Sequence, residues 1–429
     1  MKNSGRDKEV STNRLSITFI FGIGRLHFFQ AVKGLSLLPL RLHVIQGYVP
    51  SKSVFGNIVF YLVTLLVGND RAKTLGERTL DEVPLESNTS LPIPEFLFNS
   101  LIMLATKVPL GRGYIAKVAW WIFGWCAARR LPSDTHILHV RSGAGGGGLL
   151  EAARDRGLVS LVDHSIAHPK FIADTFQSEE GDLAGMNWVD PSDPFWSAVI
   201  NDCAQADHLL VNSEFVKTTF VDNGFAADRV HVVTQGVRED FFGLKSVYTV
   251  QESLKILFTG HFGLRKGALY LCQALALLKA QGVAFELTVV GENQEGRRFL
   301  ERYDLLGNSR LVGFVPQEKL KSYLALSDIY VFPSLAEGCA SSAMEALASG
   351  IPCVLSNEAG TPAAHNKHAL IVNPKDPEGI AESIQILSKC ERTRRKLGVA
   401  GAALISERFT WEKYAIGVYN LYQELTINE

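Results

Sequence analysis

Short apolar runs alternate with longer amphipathic segments along most of the chain. The apolar runs have the length of buried strands, and the longer segments have the period of surface helices. Such alternation predicts parallel sheets that are covered by helices. The predicted strands of the first half cover residues 16–21, 40–45, 136–140, 158–162, 208–211 and 231–233. Those of the second half cover residues 255–259, 286–290, 310–312, 329–332, 353–355 and 369–372.

Amphipathic segments predict helices between these strands, for example over residues 268–281 and 316–326. Ser213 offers a side-chain cap for a helix over residues 214–222. A polar stretch near residues 243–253 has neither period, so we place a junction between domains there. The predicted division is an N-terminal domain over 1–243, a C-terminal domain over 244–408 and a closing helix over 409–429.

Composition places the chain among globular proteins of two or three domains. It has 429 residues, of which 47% are hydrophobic, and this content is ample for buried cores. A formal net charge of −1 gives no bulk positive field, so a nucleic acid is not expected as a partner. The six cysteines include no CxxC pair, which argues against a disulfide framework or a zinc site and favours a cytosolic compartment. The polar N-terminal segment is unlike a signal peptide.

Two apolar segments, over residues 54–68 and 118–128, are too short to cross a bilayer, which takes about 20 residues. The segment over 54–68 and the run over 107–130 look like a lipid-facing surface. The second run contains three tryptophans and several cations, as an interfacial helix does. A buried helix of the N-terminal domain explains the same pattern equally well. Only the first interpretation predicts peripheral contact with the inner face of the plasma membrane.

A candidate phosphate-binding loop follows the first predicted strand of the second half. Gly260 ends that strand, and Arg265 and Lys266 precede the next helix. A helix N-terminus with two added cations suits a diphosphate, especially one that gains charge as its bond to a sugar breaks. An Arg-Lys pair alone is more typical of a solvated turn. Its place after the domain junction, with an acidic loop downstream, favours phosphate binding.

Two glutamates, Glu337 and Glu345, lie eight positions apart around the next strand-to-helix loop. Both are expected to face the crevice outside the carboxyl ends of parallel strands, where ligands bind. A carboxylate can accept hydrogen bonds from two ribose hydroxyls at once. Each glutamate also has a purely structural explanation: Glu337 could complement a helix dipole, and Glu345 could form a capping box with Ser342. The residues that follow Glu337 in the loop are Gly338, Cys339 and Ala340.

Two polar loops follow predicted strands of the first half. Arg141 and Ser142 precede a run of four glycines at residues 145–148. That run fits either a dinucleotide-binding loop or a flexible turn, and we expect it on the cleft face. His164 and His168 follow another strand, where each could meet a ligand or be a surface histidine without a role.

The spacing of Glu337 and Glu345 is the E-x7-E pattern of the family-4 retaining glycosyltransferases, within glycosyl transferases group 1, and the resemblance covers most of the second half. The further segments in family order are Lys266-Gly267, Val289-Val290-Gly291-Glu292, Gly313-Phe314-Val315 and Gly350-Ile351-Pro352. The first-half segment over 206–214 also looks like its family counterpart. The resemblance implies an α/β protein with the GT-B fold, in which two Rossmann-like, doubly wound domains face each other across a cleft. It also implies that the closing helix packs back on the N-terminal domain.

The resemblance also implies roles for individual residues. Lys266 would hold the donor diphosphate, and Glu337 would contact the transferred sugar or its phosphates. Glu345 would take the ribose hydroxyls, and His164 would meet the sugar. The other donor-binding candidates are Gly22, Gly24, Gly260, Arg265, Gly338, Cys339 and Ala340. The acceptor-binding candidates are Arg141, Ser142 and His168.

The expected function is transfer of a hexose from a nucleotide-diphospho-sugar to a glycan or polyprenyl-linked glycan, with retention and without a metal or other cofactor. Such a reaction belongs to surface or exopolysaccharide biosynthesis. His261 stands where the family usually has an arginine. This difference leaves open a non-catalytic partner subunit of a heteromeric glycosyltransferase. An epimerase or phosphorylase with the GT-B fold is a further alternative.

Overall fold

The computed structural model describes residues 14–23, 28–49, 80, 83–105, 111–177 and 189–427. Two compact units divide the chain: a first unit, Met1–Leu161 with Tyr422–Glu429, and a second unit, Val162–Leu421. Gly24 and the apolar segment over 54–68 lie outside the described residues. Their predicted roles therefore stay predictions.

A seven-stranded sheet comes from the first half of the chain, in the order β3-β2-β1-β4-β5-β6-β7. Its strands are β1 Leu15–Gly22, β2 Leu40–Gln46, β3 Ser87–Ser90, β4 Ile137–Arg141, β5 Val159–His164, β6 His208–Val211 and β7 Val230–Val232. Strand β5 runs from the first unit into the second. Residues of β1 and β5 are buried on both faces, as in a parallel sheet covered by helices.

Seven helices are described for the first half. They are α1 Phe28–Leu35, α2 Pro92–Ala105, α3 Arg112–Ala128, α4 Leu149–Asp155, α5 Pro169–Gln177, α6 Pro194–Gln205 and α7 Glu214–Val221. Ser213 is the N-cap of α7, and its Oγ accepts a hydrogen bond from the Val216 amide at 3.2 Å. The predicted cap is therefore confirmed.

A six-stranded parallel sheet forms the core of the second half, in the order β10-β9-β8-β11-β12-β13. Its strands are β8 Leu254–Thr259, β9 Phe285–Val290, β10 Ser309–Gly313, β11 Ile329–Phe332, β12 Cys353–Ser356 and β13 Leu370–Val372. Strand order changes direction between β8 and β11, and such a switch point opens a crevice at the carboxyl ends of the strands.

Seven further helices are described for the second half. They are α8 Ala268–Ala280, α9 Gln294–Arg302, α10 Gln317–Leu326, α11 Ser341–Ser349, α12 Pro377–Lys389, α13 Glu391–Arg408 and α14 Trp411–Ile427. At the end of α14, Tyr422 Oη lies 2.6 Å from His139 Nδ1 within the first unit. The predicted junction at 243/244 falls between β7 and β8, and the predicted domain division stays a prediction.

Two local features differ from expectation. Strand β3 was not predicted because its sequence, Ser-Asn-Thr-Ser, is wholly polar; it is an edge strand that pairs with β2. The prediction of a capping box formed by Ser342 and Glu345 was wrong. Helix α11 begins at Ser341 after an Ala340 N-cap without a side-chain bond, so Ser342 lies inside the first turn.

Helix α3 contains the tryptophan-rich run, and its tryptophans differ in exposure. Trp120 is buried in the core of the first unit, whereas Trp121 and Trp125 are 51% and 41% exposed. The helix is thus neither wholly buried nor wholly superficial. Across the described ranges, no helix is both long enough and apolar enough to span a bilayer.

Candidate donor-binding site

Three charged side chains meet at the carboxyl ends of β8 and β11. Glu337 Oε1 lies 2.6 Å from Arg265 Nη1 and 2.9 Å from Lys266 Nζ. The side chains of Arg265, Lys266 and Glu337 are only 20%, 14% and 14% exposed. The Arg-Lys pair is therefore not a solvated turn: its cations are ion-paired to the first glutamate and form, with it, a charged trio.

The two loops that carry the trio are in close backbone contact. The Arg265 carbonyl accepts hydrogen bonds from the Leu335 amide at 2.8 Å and from Ser334 Oγ at 3.0 Å. Gly267 has a φ of +78°, and a Cβ at this position would overlap the Pro333 carbonyl. Glycine is therefore required here both for its backbone conformation and for the approach of the loops.

The Glu337 loop is also held by the segments that follow β5 and β6. The Ala167 amide donates to the Glu337 carbonyl at 3.2 Å, and Ser213 Oγ donates to the Gly338 carbonyl at 2.6 Å. A Cβ at Gly338 would overlap the Ser165 carbonyl. All these residues belong to the second unit. The structure therefore brings the His164–His168 segment against the loop of Glu337.

Glu345 occupies a half-buried position on α11. Burial raises the pKa of its carboxyl to about 7, and the negative charge of Asp240 acts in the same direction, while Arg238 lowers it. Asp240 is itself ion-paired with Arg238 and with Lys321, whose Nζ lies 2.7 Å away. Glu345 is thus about evenly divided between its charged and neutral forms near neutral pH.

Both candidate histidines are buried, so neither is a surface residue. Burial lowers the pKa of His164 and of His168 to about 4, which keeps both rings neutral at pH 7. Each ring packs edge-on against Phe220 at 5.0 Å. His168 Nδ1 also accepts the Lys170 amide at 3.1 Å, which gives this ring a structural role. Its predicted role with the acceptor stays a prediction.

Residues 245–403 match the family described as glycosyl transferases group 1. These residues, called the group 1 segment, are similar to that family and make up less than half of the chain. The chain is 30% identical over 217 residues to the amylovoran biosynthesis glycosyltransferase AmsK of Erwinia amylovora, covering 48% of this chain and 53% of that protein. It is 27% identical over 198 residues to the putative colanic acid biosynthesis glycosyltransferase WcaL of Escherichia coli, covering 44% and 49%. The chain therefore spans about half the length of these relatives.

Solved structures share the fold over nearly the whole chain. Sucrose-phosphate synthase from Thermosynechococcus elongatus superposes with a TM-score of 0.63 at 18% identity, covering 97% of this chain and all of that one. Anabaena HepE, solved with UDP and glucose, gives 0.60 at 15% identity, covering 96% and 100%. The GT-B fold class predicted from the sequence is thus confirmed.

Two amide side chains from the first half of the sequence support the Glu337 loop and the Ser165 main chain that packs against it. Gln235 Nε2 donates to the Cys339 carbonyl and to Ser341 Oγ, both at 2.8 Å. Asn212 Nδ2 donates to the Ser165 carbonyl at 3.3 Å. Gln235 has no sequence signal, because it acts on the main chain of a remote loop. Burial raises the pKa of the Cys339 thiol to about 12, so the thiol stays protonated.

The loop after β8, inside the group 1 segment, is fixed by Glu295 of α9. Glu295 Oε1 accepts the Leu264 amide at 2.6 Å, and Oε2 lies 2.9 Å from His261 Nε2. His261, at the position where the family usually has arginine, therefore braces the loop together with Glu295. Arg265 supplies the second cation at Glu337. Gly260 follows β8 with a φ of +110°, and a Cβ there would lie 3.6 Å from Lys266 Nζ.

Three first-half candidates lie in the first unit. Gly22 has a φ of +69°, and a Cβ there would overlap the ring of Trp120. Arg141 Nη1 donates to the Ile23 carbonyl at 2.9 Å, and its guanidinium lies 4.9 Å from the centre of a Trp120 ring. Ser142 follows in the adjoining turn. These contacts brace the loop after β1 against α3, and the predicted binding roles stay predictions.

The glycine run after β4 also has a packing role. A Cβ at Gly147 would overlap the Trp121 carbonyl and the Trp125 amide, and one at Gly124 would overlap the Gly146 carbonyl. Small residues on both sides therefore let the loop lie directly against α3. This contact explains the glycine at position 147 without a dinucleotide.

In the ranges that the structure describes, no cluster of three or more His, Cys, Asp or Glu side chains is arranged to hold a metal ion. The cations that the structure places beside Glu337 are the side chains of Arg265 and Lys266.

Proposed function

We propose that this chain is a retaining glycosyltransferase that moves a hexose from a nucleotide-diphospho-sugar to a glycan or lipid-linked glycan. The observation that carries the proposal is the charged trio of Arg265, Lys266 and Glu337 at the switch point of the second sheet. Two cations beside a helix N-terminus suit a diphosphate, and the carboxylate beside them suits the hydroxyls of a sugar.

The relatives support a place in exopolysaccharide biosynthesis. AmsK is named for amylovoran and WcaL for colanic acid, and HepE was solved with UDP and glucose. Because the chain spans about half of AmsK and WcaL, we take from them the class of reaction and not a particular sugar. Cytoplasmic donors and a surface glycan as product would fit these names.

In the proposed reaction, Lys266 and Arg265 stabilise the diphosphate as its bond to the hexose breaks. Their effect is greatest in the transition state, because charge accumulates on the leaving phosphate there. Glu337 must then exchange its bonds to the cations for bonds to the sugar. Glu345 would take the ribose hydroxyls, and the neutral His164 would accept or donate one hydrogen bond to the sugar. The departing diphosphate would help to deprotonate the acceptor.

The test begins with thermal melts in the presence of UDP-, GDP-, ADP- and dTDP-sugars. A donor at about 100 times its dissociation constant should raise the free energy of unfolding by about 2.7 kcal/mol. Lys266→Ala should lose this shift and the turnover of the donor. Lys279→Ala is the matched control, because Lys279 pairs with exposed Asp304 on the surface of the same sheet domain at 2.8 Å. Equal donor turnover in both variants would contradict the proposal.

The same assays separate the alternatives. A non-catalytic partner subunit would show the thermal shift but no donor turnover in the presence of any acceptor. A phosphorylase would depend on inorganic phosphate, and an epimerase would form product without an acceptor glycan. A retaining transferase requires an acceptor, and NMR of its product would show the donor's anomeric configuration.

We also propose that the protein works at the inner face of the plasma membrane through α3. The apolar side chains of one α3 stripe are exposed to solvent: Tyr114 65%, Val118 48%, Trp121 51% and Trp125 41%. Their spacing of four, three and four residues puts them on one face of the helix. Lys117 and Arg129 flank this face, Arg112 and Arg130 lie at the two ends of the helix, and residues 112–130 include no acid. Aromatic and cationic side chains in this arrangement suit an anionic lipid surface.

Vesicle flotation tests this surface. The wild type should float with vesicles of phosphatidylglycerol and phosphatidylcholine, less so at high salt, and the Trp121→Ala/Trp125→Ala double variant should stay in solution. Val399→Ala removes another exposed apolar side chain, 56% exposed on α13, and should float normally. Equal flotation of the double variant and the wild type would rule out α3 as the lipid-binding face.

A further inference from the structure

An open cavity of about 580 Å³ lies in the second unit, and its lining does not include the side chains of the charged trio. One wall comes from α5 and the end of α7, and the other from the loops that follow β11, β12 and β13. Its lining residues are Lys170, Phe171, Asp174, Thr175, Asp222, Asn223, Leu335, Glu358, Asn373, Pro374 and Lys375. Its volume is in the range of small-ligand sites.

The cavity occupies the same edge of the second sheet as the trio. Strands β11, β12 and β13 are consecutive neighbours and parallel, so the loops after them emerge side by side. Glu337 lies in the first of these loops, Glu358 in the second and Asn373 in the third. A molecule that extends from Glu337 along this edge, away from β8, therefore comes to the cavity.

Glu358 connects the cavity to the Glu337 loop. Its carbonyl accepts the Glu337 amide at 2.9 Å. Its carboxylate Oε2 is buried and has no hydrogen-bond partner within the described part of the chain. Such a buried acceptor is costly unless something donates to it. A ligand hydroxyl is a suitable donor.

The charges of the lining limit the class of ligand. Lys170 and Asp174 form an ion pair at 2.6 Å and cancel each other. The other lining lysine, Lys375, donates through Nζ to the Thr175 carbonyl at 2.8 Å, and its single charge faces the two carboxyl groups of Asp222 and Glu358. This balance disfavours a phosphate, and the described residues have no cluster that could hold a metal ion. A neutral ligand that is rich in hydroxyl groups fits the lining best.

The other lining groups are those that saccharides use. Asn223 Nδ2 donates to the Thr219 carbonyl at 2.8 Å, and Asn373 Oδ1 accepts from the Lys375 amide at 3.0 Å. Each amide keeps further donor and acceptor positions for paired hydroxyls. Phe171 is half-buried and is held edge-on by Phe215 at 5.3 Å between ring centres. A fixed aromatic ring at a cavity wall gives an apolar surface for the C–H face of a sugar.

We propose that this cavity binds a neutral saccharide unit of the acceptor glycan, beyond the hexose that is being transferred. The identification of the ligand as the acceptor glycan rests on the proposed function, whereas the binding of a saccharide in the cavity does not. Glu358 accepts a hydroxyl, Phe171 supports the sugar ring, and the bound glycan contacts the residue that fixes the Glu337 main chain. Acceptor length should therefore affect acceptor binding more than donor binding.

Saturation-transfer NMR on the full chain tests the site without turnover. The probes are neutral oligosaccharides of two to four glucose, galactose or mannose units. At least one probe should bind to the wild type and to Lys266→Ala, and at least tenfold more weakly to Phe171→Ala and Glu358→Gln. Asp222→Asn provides a third variant at an exposed position, where the fold is not at risk, and should also weaken binding.

The outcomes separate this inference from the proposed function. If no probe binds, or if Lys266→Ala abolishes binding while Phe171→Ala and Asp222→Asn leave it unchanged, the cavity is not a glycan site. If glycan binding follows the cavity variants but no donor shifts the melt, the site stands and the transferase proposal fails. If glycan binding follows the cavity variants and a donor also shifts the melt, Phe171→Ala should raise the acceptor KM severalfold and leave the donor KM unchanged.

Discussion

Replacement of Glu337 by glutamine should change stability and diphosphate affinity in opposite directions. Glu337 Oε1 accepts from two cations, at 2.6 Å and 2.9 Å, among side chains that are at most 20% exposed. A hydrogen bond to a charged group contributes about 1.5–3 kcal/mol, and the amide of glutamine retains one acceptor oxygen. We therefore expect Glu337→Gln to lower the free energy of unfolding by about 1–3 kcal/mol.

The same change should strengthen the binding of a nucleoside diphosphate. At an effective dielectric constant of about 20, two unit charges roughly 5 Å apart interact by about 3 kcal/mol. Solvent access to the trio makes the repulsion between Glu337 and a phosphate smaller than this value. For each 1.4 kcal/mol or so of repulsion that Glu337→Gln removes, the nucleoside diphosphate should bind about tenfold more tightly. Transfer should nevertheless fall, because the group proposed to contact the sugar has lost its charge.

Urea unfolding and calorimetric titration with UDP, GDP, ADP and dTDP measure the two effects. Glu301→Gln is the matched control, because Glu301 pairs with Arg297 at 3.0 Å between side chains that are 49% and 57% exposed. An exposed pair of this kind contributes about 0.3–0.5 kcal/mol. Diphosphate affinity that is unchanged or weaker in Glu337→Gln would refute the view that Glu337 competes with phosphate for the cations.

Three further changes test other parts of the site. Wild-type stability should fall as the pH rises from 4.5 toward 7, because the pKa of the buried Glu345 carboxyl is raised to about 7 and the group must ionise in a buried place. The difference in melting temperature between pH 5 and pH 8 should be smaller for Glu345→Gln than for the wild type. Glu295→Gln removes the charge that holds the Leu264 amide, so steady-state kinetics should give a severalfold higher donor KM with little change in kcat, and an unchanged KM would exclude this role. Ser213→Ala loses a helix cap and the bond to the Gly338 carbonyl, which should cost about 1–2 kcal/mol in urea unfolding. Thr218→Ala on the same helix serves as its control, because the Thr218 hydroxyl makes an exposed bond within α7.

Most strands could be predicted because burial on both faces makes them continuous apolar runs. The run over 329–332 lies between Asp328 and Pro333, and β11 has the same bounds, Ile329–Phe332. Strand β3 could not be found in this way, because an edge strand with exposed alternate residues needs few apolar side chains. The pattern of burial, rather than strand propensity, therefore decided which strands could be read from the sequence.

The charged side chains of the site were predictable, but their supports were not. Lys266 and Glu337 stand out because each follows a predicted strand at the same edge of one sheet. Gln235 could not be singled out, because its partners are the Cys339 carbonyl and a remote hydroxyl. The raised pKa of Glu345 likewise depends on burial and on Asp240, more than 100 positions earlier in the sequence.

Glycine was an ambiguous signal for ligand binding because packing alone requires it at two places in the site. A Cβ at Gly267 would overlap the Pro333 carbonyl, and one at Gly338 would overlap the Ser165 carbonyl. Both glycines let main chains touch, so backbone contacts fix the position of the Glu337 loop. The charge at the site comes from the side chains. Gly338→Ala should therefore displace Glu337 without removing any charge, whereas Glu337→Gln removes the charge at a fixed position. A comparison of the two variants separates the contribution of geometry from that of electrostatics at the proposed donor site.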